Sequence, residues 1–390
     1  MTKKDISVTE FTCERDGLVI QGKKYRNTDR VNQPAVILCH GFLADQTSLD
    51  YEAMQYAIWG FAAFTFDFCG GGLHTISDGD TRDMSVLSEV EDLKAVFAYV
   101  KEQEYVRQDD ITLAGHSQGG LVAAMCAAQL KEQVTRLILF YPAFCIPDDA
   151  RKGRMQKASF DPKQVPEEFS CGRMKLGAVY AVTAMQLDPW KEITPYAGPV
   201  LILHGDSDKV VSPAYARRAV FEYNRGHKEH AQLCMLSGAG HGFYGREQRA
   251  AAMEICRNFL HGRRCVLTFR TRRLSQEMVP DGLAYRCLRY PLEGDAVGPN
   301  FRGILDGGEE RQDWNILQLL HRGFRFRADG IDSEGKSATV GVDISSNDLG
   351  KLPAHLTTDS SALAPLESAK CYAALEYHPE GFIIRIFAQV

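Results

Sequence analysis

Short apolar runs alternate with longer amphipathic segments between Gly17 and about Gly262. Several runs are continuously apolar, such as AVILC and PVLIL, as expected for parallel strands covered on both faces. Between two of them, apolar residues recur at helical spacing through SVLSEVEDLKAVFAYV. The predicted strands are Leu18–Tyr25, Ala35–Cys39, Ala62–Phe66, Ile111–Ala114, Arg136–Tyr141, Val200–Leu203 and Gln232–Leu236. The alternation predicts an α/β fold with a doubly wound, mostly parallel sheet.

One interval, at about residues 143–198, interrupts this alternation. It is much longer than an ordinary connection, which takes about 2–6 residues. It mixes prolines, charges and aromatic residues in PDDARKGRMQ, DPKQVPEEF and LDPWKEITPY. We interpret it as an inserted cap over the carboxyl edge of the sheet, where α/β proteins bind their ligands.

Beyond residue 262 the hydrophobic pattern changes to a period of two. It is seen in FRFRA, ATVGVDIS, CYAALEY and FIIRIFAQV, while DWNILQLLHRG has the pattern of a helix. The sequence therefore predicts two domains. Residues 1–262 form the α/β domain with its cap, and residues 263–390 form a smaller β-rich accessory domain of unknown function.

Composition and charge exclude several classes of protein. The 390 residues are 45% hydrophobic and 24% charged, which is typical of globular proteins. A net charge of −5 provides no general attraction for nucleic acids or anionic membranes. The eleven cysteines include no CxxC pair, and neither a signal sequence nor a membrane-spanning run of about 20 apolar residues is visible. We expect a cytoplasmic protein without nucleic-acid or membrane partners.

The strongest chemical signal is GHSQGG at residues 115–120. It follows the strand ITLA and precedes the helical run LVAAMCAAQL, which is the context of a G-x-S-x-G nucleophile turn. Glycines at 115 and 119 allow the sharp turn, and Ser117 is presented at the start of the helix. Ser117 is the predicted nucleophile.

A serine nucleophile needs a base and an acid that orients the base. In α/β hydrolases these follow the serine in the order acid, then histidine. HGDSDKVV offers Asp206 and Asp208 after one strand, and GAGHGF offers His241 after the next. We predict Asp208 as the acid, within the pattern HG-x-x-D-x-x-V, and His241 as the base; Asp206 is the alternative acid or a turn cap.

The oxyanion formed during acyl transfer needs two backbone N–H donors. The residue after the nucleophile, Gln118, supplies one of them. The loop after an early strand, in AVILCHGF, supplies the other, and we predict the N–H of Phe42. This chemistry requires no metal or organic cofactor.

Residues of about 17–262 resemble bacterial cinnamoyl (feruloyl) esterases of the α/β-hydrolase fold. CHGF, FDFCGGG, MSVLSEVEDLKAVFAYV, GHSQGG, YPAF, HGDSDKVVSP and GAGHGF occur in the family's order and spacing. The family turn after FDF usually reads more like NGHG, so CGGG departs from it. The resemblance implies that cap residues Asp149, Gln156 and Tyr180 bind the aromatic acyl group, with polar contacts to its ring hydroxyls.

These observations together predict a serine esterase that releases hydroxycinnamic acids, such as ferulic, p-coumaric or caffeic acid, from plant-derived esters. Its partner is then a small aromatic ester. Two alternatives remain open. One is a general carboxylesterase for short acyl chains, and the other is an esterase coupled to a C-terminal ligand-binding module. A third alternative is that the C-terminal residues simply cover an edge or mediate self-association.

Overall fold

The computed structural model describes residues 5–156, 158–225, 230–280, 285–315, 319–346, 352–378 and 381–389. The chain divides into two compact units, Met1–Tyr244 and Gly245–Val390. Within the described residues, no helix is both long and apolar enough to cross a membrane.

The N-terminal unit contains a sheet of eight strands flanked by helices. In chain order, the strands of this unit are β1 (Ser7–Arg15), β2 (Leu18–Arg26), β3 (Gln33–Cys39), β4 (Ala62–Phe66), β5 (Val106–His116), β6 (Arg136–Phe140), β7 (Arg154–Met155), β8 (Ala158–Ser159), β9 (Glu168–Cys171), β10 (Met174–Gly177), β11 (Val200–Gly205) and β12 (Ala231–Leu236). Strands β7 to β10 are short and lie in the cap, and the other eight form the sheet. Its helices are α1 (Asp50–Ile58), α2 (Val86–Lys101), α3 (Gln118–Leu130), α4 (Ile146–Arg151), α5 (Ala178–Gln186), α6 (Pro189–Ile193) and α7 (Pro213–Asn224).

The large sheet has the strand order β1-β2-β4-β3-β5-β6-β11-β12. From β4 to β12 all neighbours are parallel, whereas β1 and β2 are antiparallel additions at one edge. The predicted doubly wound, mostly parallel fold is thus confirmed. The order also places the ends of β3, β5, β11 and β12 at one edge, because parallel strands end on the same side of a sheet.

Strand β1 was not predicted from the sequence. Its nine residues contain a single buried side chain, Phe11, whose ring stacks on Tyr99 with 4.6 Å between centroids. An antiparallel edge strand with one buried residue has too weak an alternation to be recognised.

The segment between β6 and β11 contains α4, two β-hairpins (β7–β8 and β9–β10), α5 and α6. This is the interval predicted to form a cap. Buried side chains of α5 and α6, such as Tyr180 and Ile193, belong to the same hydrophobic core as the sheet. The cap is therefore packed as part of the N-terminal unit.

The C-terminal unit is a closed antiparallel barrel, which confirms the predicted β-rich domain. Strand β13 pairs with both β21 and β15, so eight strands close the barrel, and β14 extends β15 as a hairpin. Its elements are α8 (Arg246–Leu260), β13 (Arg264–Arg273), β14 (Glu277–Pro280), β15 (Tyr285–Gly298), β16 (Phe301–Asn315), β17 (Leu319–Asp332), β18 (Ser337–Ser346), β19 (Pro353–Thr358), α9 (Pro365–Ser368), β20 (Cys371–His378) and β21 (Gly381–Ala388).

The period-two pattern of the C-terminal sequence corresponds to the barrel strands. In β17, Phe324 and Phe326 are buried while Arg325 is exposed. The Phe326 ring stacks on Phe269 of β13, with 5.0 Å between centroids. Alternate residues therefore fill the barrel interior.

The prediction of a helix around DWNILQLLHRG is wrong. Strand β16 continues to Asn315 and β17 begins at Leu319, so the segment belongs to an antiparallel hairpin, whose residues 316–318 lie outside the described part. The spacing of its apolar residues is compatible with a helix, but pairing with the neighbouring strands decides the conformation.

The boundary between the two units follows Tyr244 and so lies earlier in the sequence than the predicted domain boundary at residue 262. Helix α8 packs on β20 and is grouped with the C-terminal unit. Sequence alternation assigned α8 to the α/β domain because it follows β12 as the next helix.

Candidate active site

Ser117 lies in a strained turn between β5 and α3. Its backbone has φ 53° and ψ −116°, a conformation that non-glycine residues rarely adopt. The turn is tightly packed, because a Cβ on Gly115 would lie 2.1 Å from the carbonyl oxygen of Gly119. A Cβ on Gly119 would lie 2.3 Å from the carbonyl oxygen of His40. Both glycines of the motif are therefore required sterically.

The loops after β11 and β12 bring Asp208 and His241 to Ser117. His241 Nε2 lies 3.0 Å from Ser117 Oγ, and His241 Nδ1 lies 2.8 Å from Asp208 Oδ2. The three side chains thus form the continuous Ser–His–Asp hydrogen-bonded chain that the sequence predicts. The Tyr141 ring packs beside His241, with 4.6 Å between centroids, and supports the imidazole from one side.

The Asp208 carboxylate is held by several donors. Oδ1 accepts from the backbone N–H groups of Val210 and Val211 at 2.8 and 3.0 Å, and His204 Nε2 lies 3.3 Å from Oδ2. Burial alone would raise the pKa of Asp208. The hydrogen bonds from His204, His241 and Val211 outweigh burial and hold this pKa well below its usual range. Asp208 is therefore ionised beside His241.

Asp206, the alternative acid, does not reach His241. Its Oδ1 accepts from the backbone N–H of Gly238 at 2.8 Å and from the Ser207 hydroxyl at 3.0 Å. Asp206 therefore links the loop after β11 to the loop after β12, as expected of a residue that caps a turn.

The two predicted oxyanion donors flank the nucleophile. Gln118 is the first residue of α3, and Phe42 follows Gly41, where a Cβ would lie 3.2 Å from Ser117 Cβ. Phe42, Ser117 and Gln118 line one cavity. The structure thus places both predicted residues next to the serine.

This cavity has a volume of about 400 Å³ and contains all three predicted cap residues. Its walls are formed by Phe42, Ser117, Gln118, Ala143, Cys145, Ile146, Asp149, Arg154, Met155, Gln156, Tyr180, Lys209, Val210 and Val211. Asp149 is half-buried on α4, Gln156 is exposed with φ 55°, and Tyr180 is buried on α5. Its size is typical of small-molecule sites, and its walls combine apolar residues with polar and charged ones.

The Tyr180 hydroxyl already has an internal partner. It donates a hydrogen bond to Oε1 of Gln118, so in this structure it is not directed to a ligand. Its oxygen can still accept a hydrogen bond, so the contact with a ring hydroxyl that the family resemblance implies stays a prediction. Tyr180 lines the cavity with its ring while its hydroxyl is used within the protein.

Comparison with known proteins agrees with this architecture. The family model described as serine aminopeptidase, S33, matches residues 31–168. The solved structure of Est1E from Butyrivibrio proteoclasticus with ferulic acid bound is 26% identical, with a TM-score of 0.59, covering 64% of this chain and 98% of that chain. The N-terminal unit has the α/β-hydrolase fold. The structure of DcsB with a substrate analogue, 20% identical with a TM-score of 0.53, shares this fold.

The curated relatives match shorter stretches of this chain than the solved structures do. An uncharacterized 31.7 kDa protein in the traX-finO intergenic region of Escherichia coli is 31% identical over 134 residues, which are 33% of this chain and 45% of that protein. The uncharacterized peptidase YtmA of Bacillus subtilis is 24% identical over 168 residues, 41% of this chain and 56% of YtmA. The chain therefore spans about half the length of the curated relatives that it matches.

One residue near the nucleophile was not identified from the sequence. Glu89 of α2 is buried, and its Oε2 accepts a hydrogen bond of 2.8 Å from Nε2 of Gln118. Burial, followed by the nearby charge of Asp92, raises the pKa of Glu89 well above its usual value, although the bond from Gln118 lowers it. A signal was present, because Glu89 lies on the apolar face of α2 between Val86 and Leu93, where a carboxyl group is unexpected.

Proposed function

We propose that the protein is a serine esterase that hydrolyses hydroxycinnamate esters. The observation that carries the proposal is one cavity in which Ser117 lies together with Asp149, Gln156 and Tyr180. The likeness to a structure with ferulic acid bound, at 26% identity, supports the same substrate class. A carboxylate and an amide on the cavity wall suit a phenolic hydroxyl, while Ile146 and Met155 suit an aromatic ring.

The geometry supports an acyl-enzyme mechanism in two steps. His241 Nε2 accepts the proton of Ser117 Oγ as this oxygen attacks the ester carbonyl, and the N–H groups of Phe42 and Gln118 stabilise the oxyanion. The C–O bond to the alcohol then breaks, and His241 returns the proton to the departing alcohol. Water, deprotonated by His241, attacks the acyl-enzyme in the same way and releases the acid. Ionised Asp208 holds the imidazole and stabilises its protonated form.

The deciding measurement is kcat/KM on methyl ferulate and on methyl cinnamate, which lacks the 4-hydroxyl. We expect a strong preference for methyl ferulate, since a cavity with polar groups for a hydroxyl leaves them unpaired with the other ester. Equal rates would overturn the hydroxycinnamate assignment. The Ser117→Ala variant is the control and should be inactive on both esters.

A general carboxylesterase is the second candidate. It is favoured by the exposure of Gln156 and by the cations Arg154 and Lys209 on the wall, which do not belong to an apolar aromatic slot. A higher kcat/KM on p-nitrophenyl butyrate than on methyl ferulate would select this candidate.

A further inference from the structure

Three polar side chains form a buried chain beside the nucleophile. The Tyr180 hydroxyl, on cap helix α5, donates to Oε1 of Gln118, and Nε2 of Gln118 donates to Oε2 of Glu89 at 2.8 Å. Each of the three residues is at most 2% exposed. This chain of hydrogen bonds connects cap helix α5 to α3 and α2.

The two hydrogen bonds fix the side-chain amide of Gln118 at both ends. Its oxygen accepts from Tyr180 and its nitrogen donates to Glu89, so the amide cannot rotate without leaving buried polar groups unpaired, which costs about 1–3 kcal/mol for each group. Gln118 is also the residue whose backbone N–H faces the developing oxyanion in the proposed mechanism. Holding its side chain therefore restrains the start of α3, where this N–H lies.

Tyr180 contacts the second oxyanion residue as well. Its ring packs against Phe42, with 5.8 Å between centroids and 51° between the planes. A single cap residue thus touches both residues that supply the backbone donors.

We propose that Tyr180 and Glu89 are positioning residues that hold the oxyanion hole in place, acting through Gln118 and, for Tyr180, also through Phe42. The inference rests on the proposed acyl-enzyme chemistry, but not on the identity of the acyl group. It gives the Tyr180 hydroxyl a role in the rate of the reaction with every ester, instead of recognition of a phenol.

The surroundings of Glu89 favour its neutral form. Burial and the carboxylate of Asp92 raise its pKa, and the pKa values of Tyr180 and Cys39 are in turn raised by burial and by Glu89. A glutamine in this position would have a similar shape and could accept the same hydrogen bond from Gln118.

The first test compares Tyr180→Phe with Tyr215→Phe. The control also loses one hydroxyl group at the cap, since Tyr215 donates to Asp148 of α4 at 2.8 Å. We expect Tyr180→Phe to lower kcat by about 10–100-fold on methyl ferulate, methyl cinnamate and p-nitrophenyl butyrate alike, less than the loss of a whole oxyanion donor. Tyr215→Phe should keep the activity of the wild type.

A second readout separates positioning from general structural damage. Affinity for a trifluoromethyl ketone, which forms an oxyanion adduct with Ser117, should fall in parallel with kcat, while affinity for free ferulic acid stays unchanged. A loss confined to methyl ferulate would overturn the inference and make Tyr180 a substrate-binding residue. Unchanged kcat on all three esters would also overturn it.

Glu89 is tested with Glu89→Gln and Glu89→Leu, with thermal unfolding used to select the folded variants. We expect Glu89→Gln to keep kcat and Glu89→Leu to lower it on all three esters. If the kcat of Glu89→Gln falls as far as that of Glu89→Leu, the glutamate acts in another way and its positioning role is wrong. If the wild type cleaves p-nitrophenyl butyrate but not methyl ferulate, the hydroxycinnamate assignment is refuted. The positioning roles of Tyr180 and Glu89 can then still be tested by kcat on p-nitrophenyl butyrate.

Discussion

At the scale of single residues, the choice between two neighbouring aspartates gives a sharp prediction. Asp208 contacts His241 at 2.8 Å, whereas Asp206 bonds Gly238 and Ser207. We expect Asp208→Asn to lower kcat by about 10⁴-fold, because an amide does not hold the imidazole in the productive tautomer. Asp206→Asn is the matched control and should stay within a few-fold of the wild type on p-nitrophenyl butyrate. A larger loss in Asp206→Asn would contradict the assignment.

The low pKa of Asp208 also predicts how stability depends on pH. Its unfolded pKa is about 3.9, and its pKa in the folded protein is lower, so its ionised form stabilises the fold fully above about pH 4. This contribution is lost as the pH falls through the folded pKa. The difference in unfolding free energy between the wild type and Asp208→Asn should therefore be largest near neutral pH and shrink below about pH 4 in urea titrations. A difference that grows towards acid would show that Asp208 is not stabilised in its ionised form.

At the scale of structural elements, the turn from β5 to α3 depends on Gly119. A Cβ there would meet two backbone carbonyl oxygens, of His40 at 2.3 Å and of Cys39 at 2.6 Å. We expect Gly119→Ala to lower the unfolding free energy by about 1–3 kcal/mol and to reduce activity, because rigid backbone must move. Gly240→Ala is the control, since a Cβ at Gly240 has no atom within 4 Å. Thermal unfolding of both variants checks this, and equal Tm values would refute it.

The elements also show what the sequence could predict and why the rest was hidden. Buried parallel strands such as β3 and β11 leave a strong local signal, because nearly all their residues are apolar. The residues of the Ser–His–Asp chain were identified because each follows a strand that the sequence predicts. The β16–β17 hairpin was missed because long-range pairing determines it. The contact between Tyr180 and Gln118, 62 residues apart, likewise depends on how the cap packs on α3.

At the scale of the whole molecule, α8 belongs to the C-terminal unit, whereas the sequence pattern predicts it in the α/β domain. The helix packs on β20, and its buried residues include Ala252, Ile255 and Phe259. A C-terminal fragment that starts at residue 263 lacks this helix and exposes the surface of β20 that the helix covers. A fragment that starts at Gly245 keeps this apolar contact.

We therefore expect the fragment 245–390 to be more stable than the fragment 263–390. Burial of a side chain as large as Phe contributes about 1.5–3 kcal/mol, so the loss of α8 should lower the unfolding free energy by at least that amount. Urea unfolding of the two fragments, followed by circular dichroism, measures the difference. Equal stability of the two fragments would mean that α8 is not a structural part of the barrel unit, and that the unit begins at β13, as the sequence pattern predicts.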